Sequence, residues 1–506
     1  MSTTEASEVT GTLVFFGDSL SDPGNLADQA AEVLPEEVVE EIGDDGRASN
    51  GPVWTEVVDD LLGAESVNYA VAGAEAIGSQ SIGDFIDEAG LSGDLTVPPG
   101  DPALDWDMNL GAQVDRFEAD VAGEDVSTAT AVILIGGNDY GAIDLTANPL
   151  IVLAQAAATL TGIVQSTMVA VADLAALGVG DIVVSSLPSF TFFPAFAGLD
   201  AATQDLANQL SDLHNDTLFD AIAEAAGDGL PVRYLELRGI TDAILDDQSS
   251  FGLIAPYTLT LEDGAPGDLA AFDEDQVAFW DSLHPTEATH KLIAAYTAYA
   301  LENDAILGTD NIDNGILTGG DDLAFGYGGD DVASGGDGRD IIFGGSGADE
   351  LSGDNGADIL SGGSQADVVP GLWGNDIVSG GAGDDVIRGG VGADVLIDGV
   401  GSDTAVGGLG DDTFIWIEES LIGGDGGSND LLRGHNGEDT LYIVLGADSY
   451  AAHATALEGG NPSGALDDLG ITAFGIEEIV VLDGRAALDT LSAEDWYADA
   501  DLWGLI

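Results

Sequence analysis

The chain of 506 residues contains 93 acidic and only 9 basic residues, which gives a formal net charge of −84 at pH 7. This charge excludes electrostatic binding to nucleic acid or to anionic membranes, and it needs salt or bound cations to screen it. The absence of cysteine excludes disulfide bonds and thiolate metal sites, while the length predicts about two to four domains. Salt adaptation and calcium binding both explain the acidity, and the composition leaves both open.

The N-terminal segment, MSTTEASEVTG, lacks the basic and apolar regions of a secretory signal, so we expect no N-terminal signal peptide. No uninterrupted apolar run reaches the roughly 18 residues of a membrane-spanning helix, so we expect no transmembrane segment. The alanine-rich stretch 150–179 is apolar but contains Gln155, Gln165 and Asp173, and it predicts a buried helix.

Five short β-rich runs, separated by longer segments with helical spacing, lie before residue 305: 12–16, 66–71, 131–135, 181–186 and 232–237. The alternation predicts an α/β fold, a flavodoxin-like α/β/α domain with a five-stranded parallel sheet between two helical layers. Ser19 follows the first run, Gly73 the second and Asn138 the third. Because ligands bind at the carboxyl ends of parallel strands, we expect these three residues to meet at one edge of the sheet.

Ser19 needs an adjacent base if it is a nucleophile, because a serine hydroxyl is weakly nucleophilic at its own pKa. Among the five histidines, His284 has Asp281 three residues before it, in the segment FWDSLHPTEATH. Such a turn can direct both side chains to the same strand edge, where His284 would take the Ser19 proton and Asp281 would orient the imidazole. His290, six residues further on, is predicted to be structural or solvent-facing.

Each candidate residue also has a simpler explanation. Ser19 is a favoured helix N-cap, Gly73 suits a turn, Asn138 suits an ordinary loop, and Asp281 suits a cap for the following helix. Taken one at a time, these explanations are at least as good as catalysis. The complete set favours a catalytic site, because such a site is recognised by its constellation of groups.

A second region begins after Gly308, where the composition changes to glycine and aspartate with a period of nine. The unit is G-G-x-G-x-D-x-U-x, in which U is apolar, and residues 380–388 (GGAGDDVIR) show it complete. Aspartate recurs at every ninth position from Asp313 to Asp412. The predicted calcium ligands are Asp322, Asp331, Asp340, Asp349, Asp358, Asp367, Asp376, Asp385, Asp394, Asp403 and Asp412.

Elementary chemistry explains each position of this repeat. Glycine allows left-handed turns, the x-U-x triplet forms a short strand with U pointing inward, and aspartate supplies the hard oxygen ligands that suit Ca²⁺. Without a cation, the stacked carboxylates would repel one another. A disordered acidic linker is the alternative, but disorder needs no apolar residue at every ninth position, so the pattern favours an ordered all-β solenoid.

After residue 415 the period is lost, and the segments TLYIVLG and GIEEIVVLDG are predicted strands. We expect this part of the chain to form a small C-terminal β cap over the open end of the solenoid. The predicted domains are therefore 1–305 for the α/β unit, 306–415 for the repeats and 416–506 for the cap.

Four motifs resemble, in the same order, those of the GDSL or SGNH hydrolase family: GDSL at 17–20, NYAVAGA at 68–74, GGND at 136–139 and DSLH at 281–284. The flanks GRASNGPVW and FWDSLHPTEATH are similar to its lipase/esterase branch, and the resemblance covers about residues 10–300. It implies that Ser19 is the nucleophile, with His284 as base and Asp281 as its partner. It also implies an oxyanion hole made by the backbone N–H groups of Ser19 and Gly73 and the side-chain amide of Asn138.

The nonapeptides resemble the RTX repeats of proteins that the type I secretion machinery exports. The resemblance implies a parallel β-roll with several structural calcium ions, and an export signal within 416–506. We therefore expect a secreted serine esterase or lipase that cleaves acyl esters through an acyl-serine intermediate and needs no metal for catalysis. The alternatives are a polysaccharide deacetylase, or a non-catalytic calcium-dependent surface or binding protein; the intact catalytic set argues against the latter.

Overall fold

A computed structural model of the chain describes residues 2–4, 11–31, 34, 49–78, 81–88, 97, 101–141, 143–147, 149–246, 253, 258–261, 277–302, 305–309, 314–317, 320–418, 421, 428–457 and 462–483. Asp313 lies outside these residues, and so does the stretch 484–506 at the end of the region, 416–506, that is predicted to contain the export signal. The described part forms an α/β unit followed by a long parallel solenoid, so the predicted fold classes are confirmed.

The α/β unit is built on a five-stranded parallel sheet with strand order β3-β2-β4-β5-β6. The strands are β2 Leu13–Gly17, β3 Ser66–Asn68, β4 Thr130–Leu134, β5 Asp181–Ser185 and β6 Val232–Leu235. Counted within the unit, the order is 2-1-3-4-5, as in flavodoxin-like folds. The order reverses between β2 and β4, so a cleft is expected at the carboxyl ends of these two strands.

Helices cover both faces of this sheet and the far end of the solenoid. Those described are α1 Asn25–Ala30, α2 Trp54–Leu62, α3 Ile82–Glu88, α4 Leu110–Asp120, α5 Pro149–Leu177, α6 Ala201–Gly227, α7 Leu237–Asp246, α8 Glu287–Glu302, α9 Ala447–Leu457 and α10 Ser463–Asp468. The first eight belong to the α/β unit, and the last two lie between the solenoid strands Thr440–Leu445 and Ile471–Phe474.

Helix α5 occupies the alanine-rich stretch, but it is less buried than predicted. One stripe that includes Val152, Ile163 and Leu174 is buried, whereas Ile151 and Val169 are 55% and 59% exposed. Among the described helices, only this one is long and apolar enough to cross a membrane by length and composition, and 33% of its apolar window is buried. It is the crossover helix between the neighbouring parallel strands β4 and β5, and its apolar stripe covers the sheet.

The repeats form two parallel sheets that face each other. The strands are β7 Ala305–Thr309, β8 Asn314–Ile316, β9 Leu323–Tyr327, β10 Val332–Asp337, β11 Ile341–Ser346, β12 Glu350–Asn355, β13 Ile359–Ser364, β14 Val368–Trp373, β15 Ile377–Ala382, β16 Val386–Val391, β17 Val395–Ile397, β18 Thr404–Leu409, β19 Thr413–Ile417, β20 Asp430–Asn436, β21 Thr440–Leu445, β22 Ile471–Phe474 and β23 Glu478–Asp483. Odd-numbered strands form a ten-stranded sheet with β1 Ser2–Thr4 at its edge, and even-numbered strands form an eight-stranded sheet. Register pairs such as Ile341 with Ile359 show that one coil contains 18 residues, or two repeats. The inward apolar residues Ile342, Leu351 and Val369 are 1% exposed or less.

The repeat aspartates line both sides of the solenoid, where the chain turns from one sheet to the other. All eleven predicted calcium ligands are at most 3% exposed. The backbone N–H of each aspartate from Asp322 to Asp394 donates to Oδ1 of the aspartate one coil further on, with distances of 2.7–3.1 Å. One oxygen of each carboxylate therefore stabilises the stack of turns, and the other is left for a different partner.

The second carboxylate oxygen of the repeat aspartates is suited to bind a cation. Within the described residues, Oδ2 is buried without a hydrogen-bond partner in Asp340, Asp349, Asp358, Asp367, Asp376, Asp394 and Asp412. Burial raises the pKa of Asp358 and Asp367 to about 8 and that of Asp394 to about 7, although backbone N–H groups lower these values in part. A buried carboxylate oxygen without a partner is costly, and oxygen ligands of this kind fit Ca²⁺.

The solenoid continues beyond the predicted boundary at residue 415. Strands β20 to β23 extend both ladders in parallel register, as far as Asp483. The aspartate rows also continue, because Asp403 N–H donates to Asp430 and Asp412 N–H donates to Asp439, at 3.0 and 2.9 Å. These partners are 27 residues apart instead of 18, so nine extra residues hide the period from the sequence. As far as Asp483, the described residues of the region expected to form a separate β cap, 416–506, form further coils with two added helices.

The α/β unit and the solenoid share one hydrophobic core. The outer face of the ten-stranded sheet, including Ile341 and Phe343, packs into the core of the α/β unit. The rings of Phe325 and Tyr296 lie 5.6 Å apart, and a Cβ at Gly239 would lie 2.6 Å from the Phe325 ring. Strand β1 pairs with β7, so the first residues of the chain belong to the solenoid sheet. The predicted boundary at 305/306 therefore passes through a continuous core.

We expect the solenoid without calcium to lose stability as the pH rises. Its aspartates have pKa values of about 6 to 8 in the folded chain, above the ordinary 3.8. Between these values the folded state holds more protons than the unfolded state, so its stability falls as the pH increases through this window. In EGTA, hydrogen exchange in β9–β19 should therefore be slower at pH 5 than at pH 8.

Calcium should remove this dependence, because its binding displaces protons from the carboxylates and stabilises their ionised form. With saturating calcium we expect slow exchange at both pH values, and proton release when calcium is added to a weakly buffered solution at pH 6. Exchange rates in EGTA that, after correction for intrinsic chemistry, do not differ between pH 5 and pH 8 would contradict this account.

Candidate active site

Ser19 lies two residues beyond the end of β2, in a turn that other elements hold tightly. Gln113 of α4 accepts a hydrogen bond from Gly17 N–H at 2.9 Å, and its Nε2 donates to the Gly17 carbonyl at 2.8 Å. A Cβ at Gly17 would lie 2.4 Å from the Leu134 carbonyl of β4, so only glycine fits this strand end. The close approach of β4 thus fixes where the Ser19 turn begins.

Asp22 determines the path of the chain after Ser19. Its carboxylate accepts hydrogen bonds from the N–H groups of Gly24 and Leu26, at 2.8 and 3.1 Å, at the start of α1. It also accepts one from Ala72 N–H at 2.8 Å, which ties this turn to the loop after β3. Helix α1 begins at Asn25 with Gly24 as its N-cap. Ser19 is therefore not a helix N-cap, which was the simpler explanation for this residue, and the helix begins six residues after it.

Gly73 and Asn138 come together at the same edge of the sheet, as predicted. Asn138 Nδ2 donates to the carbonyl of Ala74 at 3.0 Å, next to Gly73 in the chain. Gly73 has φ of 79°, in the left-handed region that favours glycine. Asp139 accepts hydrogen bonds from the N–H groups of Ala76 and Ile77, at 2.8 and 3.0 Å, and so links the two loops.

Ser19, His284 and Asp281 form a continuous hydrogen-bonded chain. His284 Nε2 lies 3.0 Å from Ser19 Oγ, and His284 Nδ1 lies 2.8 Å from Asp281 Oδ2. The other oxygen of Asp281 accepts hydrogen bonds from the N–H groups of Leu283 and His284, at 2.6 and 2.8 Å, which closes the turn between them. The predicted set thus converges although Ser19 and His284 are 265 positions apart.

Two carboxyl groups near the hydrogen bonds between Ser19, His284 and Asp281 have pKa values that are shifted in opposite directions. Burial alone would raise the pKa of Asp281, but the hydrogen bond and charge of His284, with two backbone N–H groups, lower it below its usual value. Asp281 is therefore ionised at neutral pH and can hold a positive imidazolium. Burial raises the pKa of Asp18 to about 7, although Leu20 N–H and His284 lower it in part. Asp18 is thus close to half protonated near neutral pH.

Two other histidines are buried and uncharged. His290 lies in α8, where its Nδ1 accepts a hydrogen bond from Trp54 N–H at 3.3 Å, and burial lowers its pKa to about 3. It is a structural residue, one of the two roles predicted for it. His214 in α6 lies 3.1 Å from the Tyr140 hydroxyl, and burial lowers its pKa to about 4. Both support the walls of the site.

An apolar cavity of about 340 Å³ opens beside Ser19 and His284. Its walls come from the segment after β4, the segment after β5, and helix α6. The apolar side chains that line it are Leu20, Tyr140, Ile143, Leu145, Phe190, Phe193, Ala195, Phe196, Leu210 and Leu283. Phe190 and Phe196 stack with their ring centroids 5.6 Å apart and form one wall. The other polar or charged residues of the lining are Asp18, Ser19, Asn138 and His284.

Comparison with solved structures finds proteins of low sequence identity. A variant of Axe2, an acetyl xylan esterase from Geobacillus stearothermophilus, is 17% identical, covers 58% of this chain and 97% of its own length, and has a TM-score of 0.30. LAE5, an α/β hydrolase enzyme from the metagenome of Lake Arreo in Spain, is 16% identical over 58% of this chain and 97% of its own, with a TM-score of 0.27. No curated protein matches the chain.

Comparison with protein families gives two matches. The family described as GDSL-like Lipase/Acylhydrolase matches residues 13–297, more than half of the chain. The RTX calcium-binding nonapeptide repeat matches seven segments between residues 307 and 450, of which the first six overlap in series. The chain therefore belongs to the GDSL-like lipase/acylhydrolase family, as an ester-hydrolysing enzyme that also carries RTX calcium-binding repeats.

Proposed function

We propose that the protein hydrolyses carboxylic esters with apolar acyl groups through an acyl intermediate on Ser19. The observation that carries the proposal is the set of hydrogen bonds from Ser19 to His284 and from His284 to Asp281, at 3.0 and 2.8 Å. Ser19 and His284 also line the apolar cavity. A serine hydroxyl next to an oriented imidazole is the arrangement that activates this nucleophile.

In the first half of the reaction, Ser19 Oγ attacks the carbonyl carbon of the ester while its proton passes to His284 Nε2. Asp281 accepts the hydrogen bond from His284 Nδ1–H and stabilises the imidazolium. The N–H groups of Ser19 and Gly73 and the Asn138 amide donate to the negative oxygen of the tetrahedral intermediate, where a single donor contributes about 10²–10³ in kcat. The alcohol then leaves with the proton from His284.

In the second half, water takes the place of the alcohol. His284 accepts a proton from the water as its oxygen attacks the acyl carbon, and a second tetrahedral intermediate forms in the same oxyanion hole. This intermediate collapses as His284 returns the proton to Ser19 Oγ, which releases the carboxylic acid. Among the residues that the structure describes, the Asn138 amide uses one N–H for the carbonyl of Ala74 and has no partner for the other, which supports its proposed role.

The cavity walls suggest which substrates fit. Aromatic and aliphatic side chains surround it, and its volume of about 340 Å³ is much larger than an acetyl group needs. Recognition of a sugar would require several polar groups along the walls, whereas an acyl chain requires apolar contact. The site therefore favours longer acyl esters, of lipids or small alcohols, over acetylated polysaccharides.

The repeats have a structural role in this proposal. Several calcium ions between successive turns would neutralise the aspartate rows, whose buried Oδ2 atoms suit them. RTX repeats are typical of secreted proteins, and calcium is abundant outside cells. We therefore propose that the protein is exported by a type I secretion system and folds its solenoid on meeting external calcium.

Replacement of Ser19 tests the mechanism. Ser19→Ala should reduce ester hydrolysis to the background rate because the acyl intermediate cannot form, and a phosphonate reagent should label the native chain at Ser19 alone. Ser21→Ala is a matched control: Ser21 Oγ is buried without a partner in the described chain, so this variant should keep its activity. Full activity of Ser19→Ala would contradict the proposed mechanism.

A series of p-nitrophenyl esters tests the acyl preference. From acetate to butanoate and hexanoate, kcat/KM should rise, because each buried CH₂ contributes about 0.8 kcal/mol, or roughly fourfold in rate. Acetylated xylan provides the comparison with a polysaccharide substrate. Faster cleavage of acetyl esters than of the longer esters, with deacetylation of xylan, would favour the deacetylase alternative.

Removal of residues 484–506 tests the export route. This deletion leaves every described strand of the solenoid in place, so folding in calcium should be retained. In a host with a type I exporter, the truncated protein should stay inside the cell while full-length protein reaches the medium. Inactive full-length Ser19→Ala is the matched control and should be exported normally. Normal export of the truncated protein would rule out a signal in this tail.

A further inference from the structure

Asp398 breaks the repeat at the position of its first glycine. In ordinary coils this position has no space for a side chain: a Cβ at Gly335, Gly371 or Gly407 would lie 2.2–2.4 Å from Oδ2 of the aspartate in the same repeat. At Asp398 the backbone has adjusted, since β17 ends at Ile397 whereas the corresponding strand of the preceding coil, β15, continues through the equivalent position. The side chain of Asp398 is thereby accommodated within the turn.

Asp398 places a second carboxylate beside the repeat aspartate Asp403, and Asp430 of the next coil places a third. One carboxylate oxygen from each of Asp398, Asp403 and Asp430 lies within 4.8 Å of those of the other two. Two oxygens bound to one Ca²⁺ at about 2.4 Å can lie up to about 4.8 Å apart, so one ion can bind all three. The three residues are at most 2% exposed.

The orientation of Asp398 points to a missing ligand. Its Oδ1 accepts a hydrogen bond from Gly399 N–H at 3.0 Å, and its Oδ2 is buried with no hydrogen-bond partner in the described part of the chain. A buried carboxylate in this state is costly, and two neighbouring carboxylates add repulsion. A bound divalent cation would both give the buried Asp398 oxygen a partner and neutralise the repulsion between the carboxylates.

Asp430 is held in place by contacts that belong to this end of the solenoid. Trp416 stands at the position of the first glycine in the next coil, and its Nε1–H donates to Asp430 Oδ2 at 2.7 Å. Ser428 Oγ donates to the same oxygen at 3.2 Å, and Asp403 N–H donates to Oδ1 at 3.0 Å. The extra nine residues before Asp430 thus deliver a carboxylate that is fixed before a cation binds.

We propose that Asp398, Asp403 and Asp430 form a Ca²⁺ site with three carboxylate ligands, in which Asp398 is an additional ligand at a position where the nonapeptide repeat has glycine. The repeat supplies one aspartate carboxylate from each turn, whereas this site has two from a single turn and one from the next. Its higher negative charge makes it bind calcium more tightly than the ordinary positions, because ligand charge is one of the factors that set calcium affinity.

Terbium luminescence tests the site, because Trp416 touches one of its ligands and can transfer excitation energy to a bound lanthanide. The full-length protein is titrated with Tb³⁺ in competition with calcium, and emission is recorded on tryptophan excitation. Trp416→Phe should remove the tightest phase of this emission. Asp398→Asn keeps the shape of the side chain and should lower the Tb³⁺ affinity of that phase by about tenfold or more. Loss of a residue that only supports a metal ligand already lowers metal affinity by about this factor.

Two further variants keep the test independent of misfolding. Asp398→Gly restores the glycine of the repeat, so it should fold in calcium, as circular dichroism can verify, and still lose the tight phase. Glu438→Gln removes one exposed carboxylate at the same end of the solenoid and should titrate as the native protein does. Unchanged tight binding in both Asp398 variants, or tight emission that survives in Trp416→Phe, would overturn the proposal.

Discussion

Burial of two rows of carboxylates is the constraint on which the rest of the structure depends. In the repeats, one aspartate carboxylate oxygen accepts a hydrogen bond from the backbone of the neighbouring coil and so keeps the coils in register, while the other oxygen is buried. The backbone ladder alone therefore does not compensate the charge of the solenoid, and its stability varies with the supply of cations. Because the ten-stranded sheet also covers part of the hydrolase core, this dependence extends beyond the repeats themselves.

The contact between solenoid and hydrolase unit leads towards the catalytic cavity. The guanidinium of Arg238 lies 5.3 Å from the centre of the Tyr327 ring in β9, and its Nε donates to Ser189 Oγ at 3.2 Å. Ser189 directly precedes Phe190, which forms part of the cavity wall. The first coils therefore act as a supporting layer for the segment that shapes the acyl pocket, and the two halves of the chain are one packed body.

The sequence predicted the parts of this structure that follow from local pattern. The five strands, the convergence of Ser19, Gly73 and Asn138, and the coils of the solenoid all follow from alternation and period. Asp22 and Gln113 were missed as residues that position Ser19, because the contacts of Asp22 with Ala72 and of Gln113 with Gly17 span 50 and 96 positions and leave no local signal. The final coils were missed because an insertion of nine residues breaks the period, although the register itself is kept.

The antiparallel pairing of β1 with β7 has a consequence for self-association. An unpaired parallel edge is a template on which other chains can add strands, and a flat solenoid with a regular repeat is especially open to this. The first residues of the chain cover that edge, and their antiparallel direction interrupts the parallel pattern that another solenoid would need to continue. The three residues of β1 thus disfavour the addition of another solenoid at this edge of the ten-stranded sheet, in the way that a terminal cap ends a filament.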